Sequence, residues 1–151
     1  MTGPATRSAA PADELLKRFE QALIRLSPAG GKLGVAVSGG PDSLAMLLLA
    51  EAAIPGRIEV ATVNHGLRPA SAGECAMVAR VCAERRIPCE VLEVTVGDGN
   101  LQAKAREARY RALARWAERG DLCAVATAHH ADDEAETLVM RLNRGRGVAG
   151  P

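Results

Sequence analysis

The chain has 151 residues, of which 48% are hydrophobic and 25% charged, and its net charge is +1. That length and apolar content suit one globular domain with a buried core and exclude an intrinsically disordered chain. Near-neutrality excludes a surface that is basic throughout, so any nucleic-acid contact has to be a local patch.

Residues 1–12, MTGPATRSAAPA, are small and polar with two prolines and read as a disordered lead-in. They hold no apolar stretch of the kind that opens a secretory signal. The longest apolar run, LAMLLLAEAAI, is short and broken by Glu51, so no membrane span is expected. A cytoplasmic location follows as the expectation, while the oligomeric state stays open. The domain is expected over 13–151.

Residues 13–26 repeat Leu15, Phe19, Leu23 and Leu26 at helical spacing and end at Ser27-Pro28. LGVAV, 33–37, is a short apolar run between glycines and reads as a buried strand. Helix is expected over 43–53, strand over 58–63, helix over 71–86 and strand over 89–96. Residues 100–120 read as a helix from an Asn cap to a Gly stop. LCAVATA, 122–128, is the next strand, and 132–145 is expected to be a helix with a carboxylate-rich first turn. This alternation predicts an α/β fold: an open, mostly parallel, Rossmann-like sheet with helices on both faces. The last residues, RGRGVAGP, read as a loop that closes no element, so the domain is expected to continue beyond Pro151.

The four cysteines, Cys75, Cys82, Cys89 and Cys123, include no CxxC pair. Cys75 and Cys82 fall two turns apart on one helix face. Buried thiols in a reducing compartment are the expected reading rather than a metal site.

SGGPDS, 38–43, follows the first strand and opens a helix. In an open parallel sheet, ligands bind at the carboxyl ends of strands where strand order reverses. Gly39 and Gly40 clear side chains from the loop, so backbone N–H groups can approach an anion. Pro41 suits the first helical turn, and the helix start adds partial positive charge. Ser38 and Ser43 add hydroxyls. The stretch therefore reads as a phosphate cradle. It lacks the lysine of a Walker A loop and carries Asp42 instead. A carboxylate in a phosphate cradle calls for an intervening cation, which points to Mg²⁺.

Other candidates surround this loop. His65 follows the second strand, beside Gly66 and Arg68, either as an incidental loop histidine or in contact with a nucleoside. Arg106 and Arg109 lie one turn apart on a helix that also carries Lys104, Arg111, Arg115 and Arg119. Most of these are expected to be solvated, yet a guanidinium there could meet a phosphate. His129 and Asp133 are four apart and could converge beside the loop. Glu136 reads as a capping carboxylate at a helix start.

SGGPDS resembles the pyrophosphate loop of the N-type ATP pyrophosphatases. Together with VNHGLRPAS, 63–71, NLQAKAREARYRAL, 100–113, and TAHHADDEAETLVMRLNRGRGVAG, 127–150, it resembles the N-terminal domain of the tRNA(Ile)-lysidine synthase family. The resemblance runs from about Leu33 to Gly150. It implies an ATP-dependent ligase acting on a tRNA(Ile) whose anticodon is CAU, with free L-lysine as the second substrate. The wobble cytidine O2 would attack the α-phosphate of ATP, pyrophosphate would leave into the loop, and the lysine ε-amine would displace AMP from C2. It assigns Asp42 and Asp133 to Mg²⁺ or substrate charge, Arg109 to the α-phosphate, and His129 to positioning or proton exchange. Ser38 to Ser43, His65 and Arg106 would bind ATP. Glu134 stands where the family often has Gln. The alternatives are another adenylating enzyme on this fold, such as a tRNA thiolase or an amidating synthetase, and a non-catalytic ATP-binding module.

Overall fold

The computed structural model describes residues 11–26, 30–67, 69–131, 134–143 and 147–148, with side chains described over 13–25, 30–67 and 69–128. In chain order the elements are α1 (Pro11–Leu26), β1 (Leu33–Ala36), α2 (Pro41–Ala53), β2 (Ile58–Asn64), α3 (Ala70–Glu84), β3 (Cys89–Glu93), α4 (Leu101–Arg119), β4 (Ala124–Ala131), β5 (Glu134–Asn143) and β6 (Gly147–Val148). The sheet order is β3-β2-β1-β4-β5-β6. The first four strands are parallel, with Ala36 opposite Ala61 on one side and Thr127 on the other. The expected α/β architecture is the observed one.

Every residue of β1 is buried, because helices cover both faces of the sheet. Leu33, Val35 and Val37 join Met46, Leu47 and Ala50 of α2 and Val78 and Cys82 of α3 on one face, with Phe19 of α1. Ala36 and Ala61 join Ala112, Leu113, Trp116 and Ala117 of α4 on the other. A period of two along the strand sends neighbours to opposite cores, which is why LGVAV reads as one continuous apolar run. Gly34 is fixed by this packing: a Cβ there would lie 2.8 Å from Trp116 Cζ3 and from Leu122 Cδ1.

Two helix ends behave as their residues dictate. Asn100 accepts a hydrogen bond from the Ala103 N–H at 3.3 Å, capping α4. Beyond α4, Asp121 adopts a positive φ and the Leu122 N–H reaches back to Ala117 O at 2.9 Å. The end of α3 repeats this with Arg86 and an Ile87 N–H bond to Cys82 O. Both close the helix by satisfying a terminal carbonyl from two residues past the cap.

One expected element is different. The segment foreseen as a helix over 132–145 is, in its described part, the strand β5, antiparallel to β4 from Ala124↔Arg141 to Ala131↔Glu134. Glu, Ala, Leu and Met favour a helix locally, but Leu138, Met140 and Leu142 also alternate, with β-branched Thr137 and Val139 between them. Pairing along eight residues satisfies the outer edge of β4 and outweighs a modest propensity. Glu136 accordingly lies opposite His129 in a strand ladder and caps no helix. Gly147–Val148, expected in a loop, pairs with β5. β3 ends at Glu93, three residues short of the expected strand.

Candidate functional site

The chain runs outward from β1 through β2 to β3, then returns through α4 to β4 on the other side of β1. Strand order therefore reverses at β1, and its carboxyl end is the place where an open parallel sheet forms a crevice. A cavity of about 280 Å³ lies there. Its walls include Ser38 and Gly40 of the loop, His65 after β2, Ser71, Glu74 and Cys75 of α3, and Arg109 of α4.

The loop is braced from within. Ser43 is buried, and its hydroxyl donates to Gly40 O at 3.1 Å while accepting the Ser38 N–H at 3.0 Å. Its one proton being used, the Ser38 hydroxyl is the donor in the 3.1 Å contact between the two serines. Ser43 thus holds the loop in shape, while Ser38 lines the cavity.

The two glycines differ in what they permit. Gly39 has a φ of +89°, and a Cβ there would meet Glu74 Cβ at 3.3 Å and Met77 Cε at 3.5 Å. Backbone conformation and the neighbouring helix α3 both require it. Gly40 sits at φ −74° and ψ 161°, which any residue adopts, and a Cβ there would meet only Ser38 Oγ at 3.7 Å. Among the described residues nothing demands a glycine at 40. What its missing side chain leaves open is the cavity floor, at the start of a helix with Pro41 at its head. That combination fits an anion seated on backbone dipoles.

Arg109 is the arginine among the described residues that line this cavity. Burial lowers the pKa of its guanidinium; Tyr110 offsets part of this, and the nearby Arg106 charge adds to it. It remains a cation at neutral pH, held in surroundings that favour a bound anion. Arg106 goes elsewhere: its guanidinium carbon stands 5.6 Å from the centroid of the Tyr110 ring, in a hollow on the outer side of α4. The two arginines stay close, but Arg109 lines the cavity and Arg106 lines a different hollow.

His65 Nδ1 accepts the Leu67 N–H at 3.2 Å, so in the neutral ring Nε2 carries the proton. Gly66, with a φ of +67°, donates its N–H to Asn64 Oδ1. The loop fixes the ring through its own backbone. Asp42 stands on the first turn of α2, half-buried, next to the cavity-lining loop. His129 lies on β4 two residues beyond Thr127, the partner of Ala36, which places its backbone alongside the end of β1. Asp132, Asp133 and Arg68 lie outside the described residues. Among the described residues no three His, Cys, Asp or Glu side chains converge as a metal site. Asp42 adjoins the loop but is not among the described residues that line the cavity, and an ion carried on nucleotide phosphates needs only one or two protein carboxylates.

Sequence reasoning missed the α3 wall. Ser71, Glu74 and Cys75 share the helical stripe that continues into Val78 and Cys82, so the spacing was visible. What was not visible is that the first turn of this stripe faces a cavity while the later turns face the core. Of the four thiols expected to be buried, Cys75 and Cys82 are buried, Cys89 and Cys123 are half-buried, and no disulfide links them. Cys75 accepts a hydrogen bond from the buried Thr62 hydroxyl at 3.5 Å.

Residues 11–150 match the model of the PP-loop domain family. The chain is 54% identical over 134 residues to a tRNA(Ile)-lysidine synthase of Novosphingobium aromaticivorans, covering 88% of this chain and 41% of that protein. It is 47% identical to the protein of that name from Zymomonas mobilis, over 89% of this chain and 42% of the relative. With that of Ruegeria pomeroyi the identity is 53%, over 79% and 30%. The chain thus spans less than half the length of these curated relatives. Among solved structures it is similar to a U34-tRNA thiolase of Methanococcus maripaludis with a [4Fe-4S] cluster, at a TM-score of 0.62 and 19% identity, over 81% of this chain and 47% of that one. A glutamine-dependent NAD+ synthetase of Acinetobacter baumannii in complex with ADP gives 0.61 and 19%, over 83% and 26%. These two likenesses concern the fold. With a family match along nearly its whole length and the glycine loop at the end of β1, the chain belongs to the PP-loop domain family.

Proposed function

We propose that this chain is the ATP-binding and adenylating domain of a tRNA(Ile)-lysidine synthase. The observation that carries the reading is the cavity at the end of β1, where a loop opened by two glycines and a desolvated arginine meet. A polyphosphate ester answers both features at once. The names of the curated relatives supply the other substrates, tRNA(Ile) and lysine.

In this reading the O2 of the wobble cytidine of a CAU-anticodon tRNA(Ile) attacks the α-phosphorus of ATP. The bond to the β-phosphate breaks, and pyrophosphate leaves into the loop 38–43. The backbone N–H groups there, shaped by Gly39 and braced by Ser43, hold it without a P-loop lysine. Arg109 steadies the charge that builds on the α-phosphate. The ε-amine of free L-lysine then attacks C2 of the cytidine, and AMP departs. Asp42, with Asp133, would hold Mg²⁺. The bound ion supplies charge neutralisation between the phosphates and these carboxylates. Ser38, His65 and Pro41 belong to the ATP-facing rim, and His129 to proton positioning at the end of β4. A cytoplasmic location accompanies this activity, and among the described residues no helix is long and apolar enough to cross a membrane.

The product tests the reading. Unmodified CAU-anticodon tRNA(Ile) is incubated with the chain, ATP, Mg²⁺ and labelled lysine, and the RNA is digested to nucleosides. Label on the wobble cytidine is expected. Transfer of sulfur or ammonia in place of lysine, or ATP binding that neither tRNA nor lysine affects, would overturn it.

A further inference from the structure

Resting on the tRNA reading of the preceding section, we propose that the outer face of α4 is a docking surface for the backbone and one unstacked base of a single-stranded RNA segment. The charge distribution is the first reason. α4 carries six cations and two carboxylates, a surplus of four, in a chain whose net charge is only +1. The remainder of the chain is therefore net negative, and positive charge is concentrated on one helix.

The second reason is what those cations do within the fold. Lys104 donates to Asp98 O, and Arg119 pairs with Glu90 at 3.3 Å. Arg109 points into the cavity. The ion pairs described on this side of the molecule engage Arg119, not Arg111 or Arg115. Arg111 and Arg115, four residues apart and exposed, share a hollow of about 210 Å³ with Glu93 and Thr95 from the end of β3. Arg111 also borders a second hollow with Arg106, Glu107 and Tyr110. The two hollows share Arg111.

The third reason is the aromatic. The chain has one Phe, one Trp and one Tyr. Phe19 and Trp116 are buried in the two cores, and Tyr110 alone is half-exposed. It is topped by Arg106 at 5.6 Å. An aromatic ring with an adjacent guanidinium, flanked by arginines outside the described ion pairs, is the set of groups that binds a splayed base and its neighbouring phosphates. The carboxylates Glu107 and Glu93 within the hollows disfavour a purely electrostatic, indiscriminate grip.

The fold supplies the fourth reason. α4 follows β3 and starts at the carboxyl ends of the strands, so Arg106 and Tyr110 lie at the same end of the sheet as the cavity, and Arg111 and Arg115 lead away from it. An RNA with one nucleotide in the cavity can lay the adjoining strand along this face.

Binding of unmodified CAU-anticodon tRNA(Ile) is measured by fluorescence anisotropy at a series of KCl concentrations, with ATP affinity measured in parallel. For Arg111→Gln/Arg115→Gln the slope of log affinity against log salt should fall by roughly 0.7 for each phosphate that is no longer neutralised. The corresponding double lysine variant should keep most of the slope. Tyr110→Ala should weaken binding by about tenfold with the slope unchanged, and Tyr110→Phe should bind as the parent does. ATP affinity should stay within about twofold in the arginine pair variants. An unchanged slope in Arg111→Gln/Arg115→Gln, with tRNA-dependent pyrophosphate release intact, would overturn this surface and leave the enzymatic reading standing. Loss of tRNA dependence in the parent chain itself would sink both.

Discussion

The two glycines of the loop predict opposite consequences for the same substitution. In Gly39→Ala the new Cβ sits at φ +89°, 3.3 Å from Glu74 Cβ and 3.5 Å from Met77 Cε. The backbone conformation alone costs about 1–2 kcal/mol, and the contact with α3 adds to it. The smaller entropy of the unfolded alanine chain offsets roughly 0.4–1 kcal/mol, which the strain at this φ outweighs. A net loss of about 2 kcal/mol follows. In Gly40→Ala the backbone is already at φ −74° and the Cβ meets only Ser38 Oγ at 3.7 Å. Stability should be unchanged or higher by about 0.5 kcal/mol. The methyl nevertheless enters the space where phosphate is proposed to sit. Overpacking of about 1–3 kcal/mol there weakens ATP binding by about 5- to 150-fold. Urea unfolding followed through Trp116, the chain's one tryptophan and buried on the inner face of α4, reports stability. Calorimetric titration reports ATP affinity. A Gly40→Ala chain that binds ATP as tightly as the parent would refute the placement of phosphate on this loop. A Gly39→Ala chain of full stability would refute the strain argument.

Gly34→Ala pushes a methyl against Trp116 and Leu122 at 2.8 Å. It should cost about 1–3 kcal/mol and shift the tryptophan emission, read by the same urea titration. Ser43→Ala removes the hub of the loop and leaves the Ser38 N–H without its partner. A loss of about 1–3 kcal/mol in stability, with weaker ATP binding, should appear in thermal unfolding and titration. Arg109→Met should weaken ATP binding by about 10- to 100-fold with little effect on stability, since it removes the cavity-lining charge proposed to meet phosphate and not a core group. The Cys82–Cys89 pair gives an alkaline signature. The Cys89–Cys82 hydrogen bond pushes the Cys82 thiol well up, with burial adding to it, and the same bond lowers Cys89. Cys89 therefore adds stability as pH rises towards the ordinary thiol value of about 8.5, and Cys82 removes it above that value, where the unfolded chain ionises both. Unfolding between about pH 7 and 10 should show a maximum that Cys89→Ala abolishes.

The parallel core was legible because its signals were local and agreed with one another. LGVAV between glycines, IEVATV, and helices opened by Asn100 and closed by Gly120 each specify one state. The loop at 38–43 was legible because a strand end, two glycines and a helix start have few other uses. The Glu134–Asn143 strand was not, because its residues favour a helix locally and only the free edge of β4 decides otherwise. Nor was the division of labour within the loop: two serines of one type take different parts because one is buried and the other faces the cavity. Arg106 and Arg109 look equivalent at helical spacing. Which of them lines the cavity depends on where α4 meets the rim of the sheet, a tertiary fact.

Pyrophosphate release tests the central claim most directly. The chain is supplied with ATP and Mg²⁺, with and without unmodified CAU-anticodon tRNA(Ile) and lysine, beside Asp42→Ala. Release that requires the tRNA and is lost in Asp42→Ala is the predicted result. Release that proceeds without RNA, or that survives Asp42→Ala at the parent rate, would contradict it.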